Sequence, residues 1–236
     1  MTALRSFAFN ILFFGLTTIL SLLYLPFLLL PRKAMVAGAR VWVRLMLFFL
    51  KWVAGLSHEF RGLERLPPGP FLIAAKHQSA WDTLIFHILL PDPAFILKKE
   101  LLNIPLFGWY LAHHGMIAID RSAGASALKK MLKEAQNALA RGSVPIVFPE
   151  GTRTAPGDSM PYHPGIAALY ADLKVPVVPV ALNSGLYWRR KGFMKRPGRI
   201  VLEVLDPIEP GMDRRQFLAT LKERIETACQ RLGEAG

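Results

Sequence analysis

Apolar and polar positions divide the chain into three regimes. Residues 7–30 hold no charged side chain, only Asn10 and scattered Thr and Ser among Phe, Leu and Ile. At ~1.5 Å per residue, a helix over this run covers a hydrocarbon core of about 30 Å, which predicts a membrane-spanning anchor. A cleavable signal peptide fits poorly, because the apolar run far exceeds the usual ~7–15 residues and Arg32 and Lys33 precede the small residues near Ala37 and Ala39. The next segment, "AMVAGARVWVRLMLFFLKWVAGL", has a second pattern. At 100° per residue, Arg40, Arg44 and Lys51 fall within about 40° of one another, with Val, Leu, Phe and Trp over the remaining arc. That distribution predicts an interfacial helix with its cationic stripe toward lipid phosphates, or a helix packed on the domain with the stripe in water.

From about Ser57 the pattern changes to short apolar runs separated by turn signals. "PFLIAA", "AFIL", "GMIAI", "VPIVF", "VPVVPVAL" and "RIVLEVL" read as strands, several with the unbroken apolar character of a buried sheet. Between them lie helical patterns at "WDTLIFHILL", "SAGASALKKMLKEAQNALARG" and "GIAALYADL". The second places Leu128, Met131, Leu132, Ala135 and Leu139 on one face and Gly142 at its C-terminal cap. At the end of the chain Phe217, Leu221, Ile225, Ala228 and Leu232 align as the buried stripe of a closing helix. Alternating strands and helices imply an α/β domain with a central mixed sheet flanked by helices, preceded by a two-helix membrane-anchoring segment. The expected division is an anchor over residues 1–56 and a globular domain over 57–236, with no internal repeat.

Composition sharpens this picture. The chain has 236 residues, 52% hydrophobic and 19% charged, with a formal net charge of +12. Such a charge requires acidic partners, and the anchor selects anionic membrane lipid and phosphorylated substrates over nucleic acid, for which no interleaved basic and aromatic motif is present. The single cysteine, Cys229, excludes an internal disulfide and reads as an ordinary helix residue. Arg32 and Lys33 after the first helix, against Arg5 before it, favour a main domain on the cytoplasmic side of the inner membrane.

The chemistry concentrates in "KHQSAWD", between two apolar segments. His77 and Asp82 are five residues apart, a rotation of about 500° on a helix, so a continuous helix cannot bring them together. The chain must leave the strand at Ala75, hold His77 in a loop and enter the helix near Ser79, so that Asp82 in the first turn swings back to the imidazole. A carboxylate on one ring nitrogen makes the other a general base worth about 10²–10⁴ in rate. Ser79-x-x-Asp82 is equally a capping box at a helix start. No G-x-S-x-G elbow occurs, so the nucleophile would be a hydroxyl carried by a substrate. A second polar cluster, Glu150-Gly151-Thr152-Arg153-Thr154, follows a buried strand, where sites of open α/β sheets gather. Gly151 allows a tight backbone there, and Arg153 can grip a phosphate bidentately.

Together these blocks resemble the glycerolipid acyltransferase family that includes 1-acyl-sn-glycerol-3-phosphate acyltransferases. The resemblance rests on His-x4-Asp at His77 and Asp82, "GMIAIDR" at 115–121, "FPEGTR" at 148–153, "VPVVPVAL" from Val175, and a Lys-x-Glu-Leu pattern beginning at Lys98. It implies that His77 deprotonates the glycerol hydroxyl of lysophosphatidic acid for attack on the thioester of acyl-CoA or acyl carrier protein, with Asp82 orienting the imidazole. It also implies that Lys98, Arg121 and Arg153 hold the acceptor phosphate, that Glu150, Gly151 and Thr152 shape that pocket, and that no metal or organic cofactor is needed. His113 and His114 are expected in a loop. Two positions depart from the family pattern: Lys76, in place of the usual Asn, would set an ammonium beside His77, and His163 replaces a lysine that could reach a phosphate. Another lyso-lipid acceptor, such as a lyso-ornithine lipid, or a non-catalytic lipid-surface protein would use the same frame.

Overall fold

The structure, a computed structural model, describes residues 1–234. Its helices are α1 (Thr2–Leu23), α2 (Arg32–Phe49), α3 (Trp81–Leu89), α4 (Phe107–His114), α5 (Gly124–Ala140), α6 (Gly165–Leu173), α7 (Ser184–Tyr187) and α8 (Arg214–Glu234). Its strands are β1 (Leu56–Arg61), β2 (Leu72–Ala75), β3 (Pro93–Lys98), β4 (Ile117–Ile119), β5 (Val144–Val147), β6 (Val177–Leu182) and β7 (Gly198–Val204). They form one seven-stranded sheet in the order β1-β7-β6-β2-β5-β3-β4, parallel except where β7 returns against β6. The expected α/β class with a mixed central sheet is therefore the observed one.

Alternation along the strands decides the layers. In β2, Ile73 and Ala75 join a core with Phe9 of α1, Val43 and Leu47 of α2 and Trp81, Ile85 and Phe86 of α3. Leu72 and Ala74 point the other way, into a core with Met131 and Ala135 of α5, Leu169 of α6, and Phe217, Leu221 and Ile225 of α8. The sheet is covered on both faces, as its apolar strands require. Gly142 at φ +80° closes α5: its N–H reaches Leu139 O, and the Ser143 N–H reaches Ala138 O. On that helix Ala138 is buried alongside Met131 and Ala135, whereas Leu139 is only partly covered.

Four expectations need correction. The apolar run to Leu30 is not one helix: α1 ends at Leu23 and a 3-10 turn covers Leu25–Leu29. Pro26 lacks an N–H, and its ring would meet the carbonyl four residues back. Arg40 does not join a lipid-facing stripe, because its guanidinium turns inward and donates to His87 O, Leu90 O and Pro91 O at the C-terminus of α3. It satisfies carbonyls that the helix end leaves without partners. The strand β1, "LSHEFR", lies at the edge of the sheet, where half-exposed polar residues mask the strand signal. His113 and His114 lie in the last turn of α4 and not in a loop; Pro105 and Gly108 interrupt the helical pattern in the sequence.

α1 is the one described helix long and apolar enough to cross a membrane. Its outward residues Leu4, Phe7, Ile11, Phe14 and Leu22 are exposed, and they mark the chain as membrane-associated. Its polar residues face the protein. Ser6 Oγ accepts the Lys195 N–H at 2.9 Å, Asn10 Oδ1 accepts from Lys195 Nζ, Thr17 Oγ1 accepts from Trp42 Nε1, and Ser21 O accepts from the Tyr110 hydroxyl.

Beneath α2, His87 and His114 meet edge to face at 5.2 Å with three ring nitrogens unpartnered among the described residues. Burial, with Arg40 and Arg32 nearby, holds His87 down to about 3 and His114 to about 4, from 6.5. Both histidines are neutral when folded, so unfolding binds protons between pH 6.5 and about 4, and stability falls as pH drops through that window. Replacing both with phenylalanine flattens this acid decline, as read from urea unfolding at a series of pH values.

Candidate active site

β2 is the strand on either side of which the order diverges, and its carboxyl end is the expected location for a site. The chain leaves the sheet after Ala75, and Lys76 to Ala80 form the connection to α3. This short loop brings Asp82, in the first helical turn, back over the preceding backbone. Its carboxylate is fully buried and accepts five hydrogen bonds. Oδ2 receives His77 Nδ1 at 3.0 Å, Gln78 N–H at 2.6 Å and Ser79 N–H at 2.8 Å; Oδ1 receives Ser79 Oγ at 3.2 Å and Ser184 Oγ at 2.5 Å. The Ser79 hydroxyl in turn accepts the Trp81 N–H at 3.0 Å. Helix capping and imidazole orientation are thus tasks of one carboxylate.

With Nδ1 donating to Asp82, Nε2 of His77 is the acceptor nitrogen, and no described residue bonds it. Phe148 stacks on the ring at 4.0 Å and 16°, backed by Phe95 at 6.1 Å. The imidazole is therefore held by a carboxylate at its edge and an aromatic plane on its face. An oriented base with one free nitrogen can take a proton from a hydroxyl placed against it.

Lys76 does not set its charge beside the ring. Its side chain is 1% exposed, and Nζ turns away to Glu150 Oε1 at 2.6 Å, Glu226 Oε2 at 2.9 Å and Asp158 O at 3.1 Å. Glu226 lies on α8, and the Tyr162 hydroxyl donates to it at 3.0 Å. Glu150 is buried as well: Oε2 accepts the His77 N–H at 3.1 Å, and Oε1 also accepts the Thr154 hydroxyl at 2.8 Å. Thr154 N–H returns to His77 O at 2.8 Å. Glu150 is thus a strut behind His77, and its carboxylate is committed to protein groups. Gln78, Ser184 and Glu226 carry no signal as site residues in the sequence, whereas Lys76 is marked there only by its departure from the family pattern.

Gly151 takes φ +66°, and a Cβ there would lie 2.6 Å from His163 Nε2 and 2.8 Å from Arg121 Nη1. Only glycine fits this turn without strain. Arg121 Nη1 donates to Gly151 O at 2.9 Å, so its guanidinium and the His163 ring converge on this loop. Arg153 is half-buried on another side. Burial, chiefly, and the nearby Arg190 lower its pKa, with Asp82 acting in the opposite direction. Thr152 is half-buried, and Lys98 is exposed at the end of β3. Arg121 reaches the loop from the 3-10 turn Arg121–Ala123 and Arg153 belongs to it, and among the described residues no hydrogen bond links either of them to Lys98. Cys229 lies in this region too, its thiol pushed up by burial to about 12, which keeps it unreactive at neutral pH. Among the described residues no three His, Cys, Asp or Glu side chains are grouped as metal ligands.

A carboxylate-oriented imidazole with one free nitrogen at the carboxyl end of a central strand fits an enzyme that activates a hydroxyl. Comparisons give the family. Residues 57–183 match the model of the family described as Acyltransferase. The chain is 37% identical over 185 residues to a 1-acyl-sn-glycerol-3-phosphate acyltransferase of Pseudomonas aeruginosa, covering 78% of this chain and 72% of that one. It is 34% identical over 170 residues to the alpha form of the same enzyme from Mus musculus, spanning 60% of that protein. In fold, it superposes on the crystal structure of a 1-acyl-sn-glycerophosphate acyltransferase from Thermotoga maritima with a TM-score of 0.81, at 22% identity and 98% coverage of both chains. The chain belongs to the acyltransferase family.

Removing the Lys76 charge leaves two carboxylates facing each other without a cation. K76M is expected to cost about 3–5 kcal/mol of unfolding free energy, and K76M/E150Q to recover part of it, both by chemical denaturation. Desolvation pulls the Lys76 ammonium down, but hydrogen bonds and charges from Glu150 and Glu226 outweigh it and leave its pKa above the ordinary 10.5. Its stabilisation is therefore complete at neutral pH and is lost only as pH rises past 10.5 through the folded value.

Proposed function

We propose that the chain is a membrane-bound 1-acyl-sn-glycerol-3-phosphate acyltransferase, which transfers a fatty acyl group from acyl-CoA or acyl carrier protein to the sn-2 hydroxyl and yields phosphatidic acid. The observation that carries this reading is the His77–Asp82 pair, bonded at 3.0 Å with Nε2 left free at the carboxyl end of β2. Nε2 removes the proton from the sn-2 hydroxyl as its oxygen attacks the thioester carbonyl. The resulting imidazolium is stabilised by Asp82, whose other four donors hold it in place. As the tetrahedral adduct collapses, the carbon–sulfur bond breaks, and the proton passes from Nε2 to the departing thiolate.

In the acceptor, only the C2–C3 bond and an ester oxygen separate the attacking oxygen from the phosphate. The phosphate must therefore settle close to His77. Arg153 and Arg121 are the cations at hand, with Lys98 at the neighbouring strand end, and a guanidinium matches phosphate in bidentate geometry. Glu150, Gly151 and Thr152 act by shaping the loop that holds Arg153. The apolar face of α1 sets this site at the surface of an anionic bilayer, where both the acceptor and the acyl tail reside. The domain lies on the cytoplasmic side, in keeping with Arg32 and Lys33 after the anchor.

Purified protein offered a panel of lyso-lipids with one radiolabelled acyl-CoA tests the reading. Lysophosphatidic acid should be the preferred acceptor; preference for an acceptor without phosphate, such as a lyso-ornithine lipid, removes the role given to Arg153. H77A should lower kcat by about 10²–10⁴ while the protein stays folded and membrane-attached. R153A should instead raise the KM for lysophosphatidic acid by about tenfold or more, the scale of one lost charge-assisted contact.

A further inference from the structure

Beyond the acceptor loop, a second cationic region borders the catalytic turn. A cleft of about 660 Å³ is lined by Gln78, Pro156, Gly185, Arg189, Arg190 and Arg196 among its residues. The volume lies within the ~300–1,000 Å³ of small-molecule sites. Gln78 is the residue after His77, and its side-chain oxygen accepts the Gly185 N–H at 3.0 Å, so the wall of the cleft is tied to the catalytic loop.

Three arginines on one hairpin supply its charge. Tyr187 O accepts the Arg196 N–H at 2.8 Å, and Trp188 pairs with Lys195 across the hairpin. No acidic residue occurs between Asp172 and Glu203. Among the described residues, Arg189, Arg190 and Arg196 form no ion pair, and Arg190 donates to Arg153 O at 3.0 Å. The hairpin is held rigidly. Trp188 meets Phe9 and Phe13 of α1 edge-on at 5.7 and 5.9 Å, and Lys195 sits over the Trp188 ring at 5.0 Å. Fixed, unneutralised guanidinium groups around a concave space are a receptor for phosphate.

The acceptor cannot fill both cationic regions, since its one phosphate is confined beside His77. The donor can reach further. In a pantetheine thioester the phosphates lie a whole pantetheine arm beyond the reacting carbonyl, and in coenzyme A they are several. We propose that the Arg189–Arg190–Arg196 cleft receives the phosphorylated nucleotide end of an acyl-coenzyme A donor, so that the thioester lies across Gln78 at His77. This assignment rests on the acyl-transfer reading above and adds the donor and its binding residues. At the hairpin tip, Asn10 of α1 donates to Phe193 O at 3.2 Å, and Phe193 and Met194 leave their side chains exposed beside that helix. The cleft thus opens beside the lipid surface, and an acyl tail leaving the site meets apolar ground.

The test uses the full-length enzyme in vesicles of neutral phosphatidylcholine, varying acyl-CoA and lysophosphatidic acid separately. R189A/R196A should raise the KM for acyl-CoA by about tenfold or more, with kcat and the acceptor KM within about twofold of the wild type. R189K/R196K, which keeps the charge, should recover most of the loss. Adenosine 3′,5′-bisphosphate should compete with acyl-CoA in the wild type and lose that effect in the alanine variant. An unchanged donor KM with a raised acceptor KM would overturn the assignment in favour of a second acceptor site. Loss of vesicle binding that accounts for the whole effect would make the hairpin a membrane contact. An effect confined to acyl carrier protein as donor would make it a protein-docking surface. A wild type that esterifies lysophosphatidic acid while its donor KM ignores these arginines sinks the cleft alone; a wild type that acylates no lyso-lipid sinks the enzymatic reading itself.

Discussion

The carboxyl end of the sheet in this fold is organised around one buried carboxylate. Asp82 has no contact with water, and an ionised group in that position is tolerable only if its oxygens are fully engaged. Two backbone N–H groups from the turn, two serine hydroxyls and the His77 ring meet that need. Each donor fixes something different. Gln78 and Ser79 fix the turn between β2 and α3, Ser184 fixes the segment after β6, and His77 receives its orientation in return. The geometry of the imidazole is therefore a by-product of satisfying an acid, and the capping of α3 and the orientation of His77 by Asp82 are one arrangement.

Charge is handled in two ways across the molecule. Lys76, Arg32 and Arg40 are cations that the fold consumes: Lys76 between two glutamates, Arg32 against Asp92 and His114 O, and Arg40 on the carbonyls ending α3. They contribute to the formal +12 but present little of it to a partner. Other cations stay free of ion pairs among the described residues: Lys129, Lys130 and Lys133 along α5, Arg121 after β4, Arg153 after β5, and Arg189, Arg190 and Arg196 along the hairpin after α7. Net charge alone marks an acidic partner, and its distribution shows where that partner can bind.

Legibility from sequence followed the range of the interaction. The layers were readable because β2, β5 and β6 are apolar on both faces and α8 repeats its stripe through Phe217, Leu221, Ile225, Ala228 and Leu232, all buried. The turn carrying His77 and Asp82 was readable because five residues on a helix cannot close that pair. What escaped notice was polar and distant: Ser184 lies 102 residues from Asp82, and Glu226 lies 150 from Lys76. A lysine beside a histidine implies proximity of charge until the fold shows that two carboxylates have drawn it away. The edge strand β1 escaped for the opposite reason, since half-exposed positions carry no strong pattern.

The polar seam of α1 has a consequence for topography. Because Ser6 and Asn10 are bonded to the Lys195 segment and Phe9 is wedged into the sheet's own core, this helix cannot slide along its axis or pivot away as a tethered stalk would. The distance and orientation between the apolar face of α1 and the turn carrying His77 are consequently set by the polypeptide itself, whatever surface that face rests on.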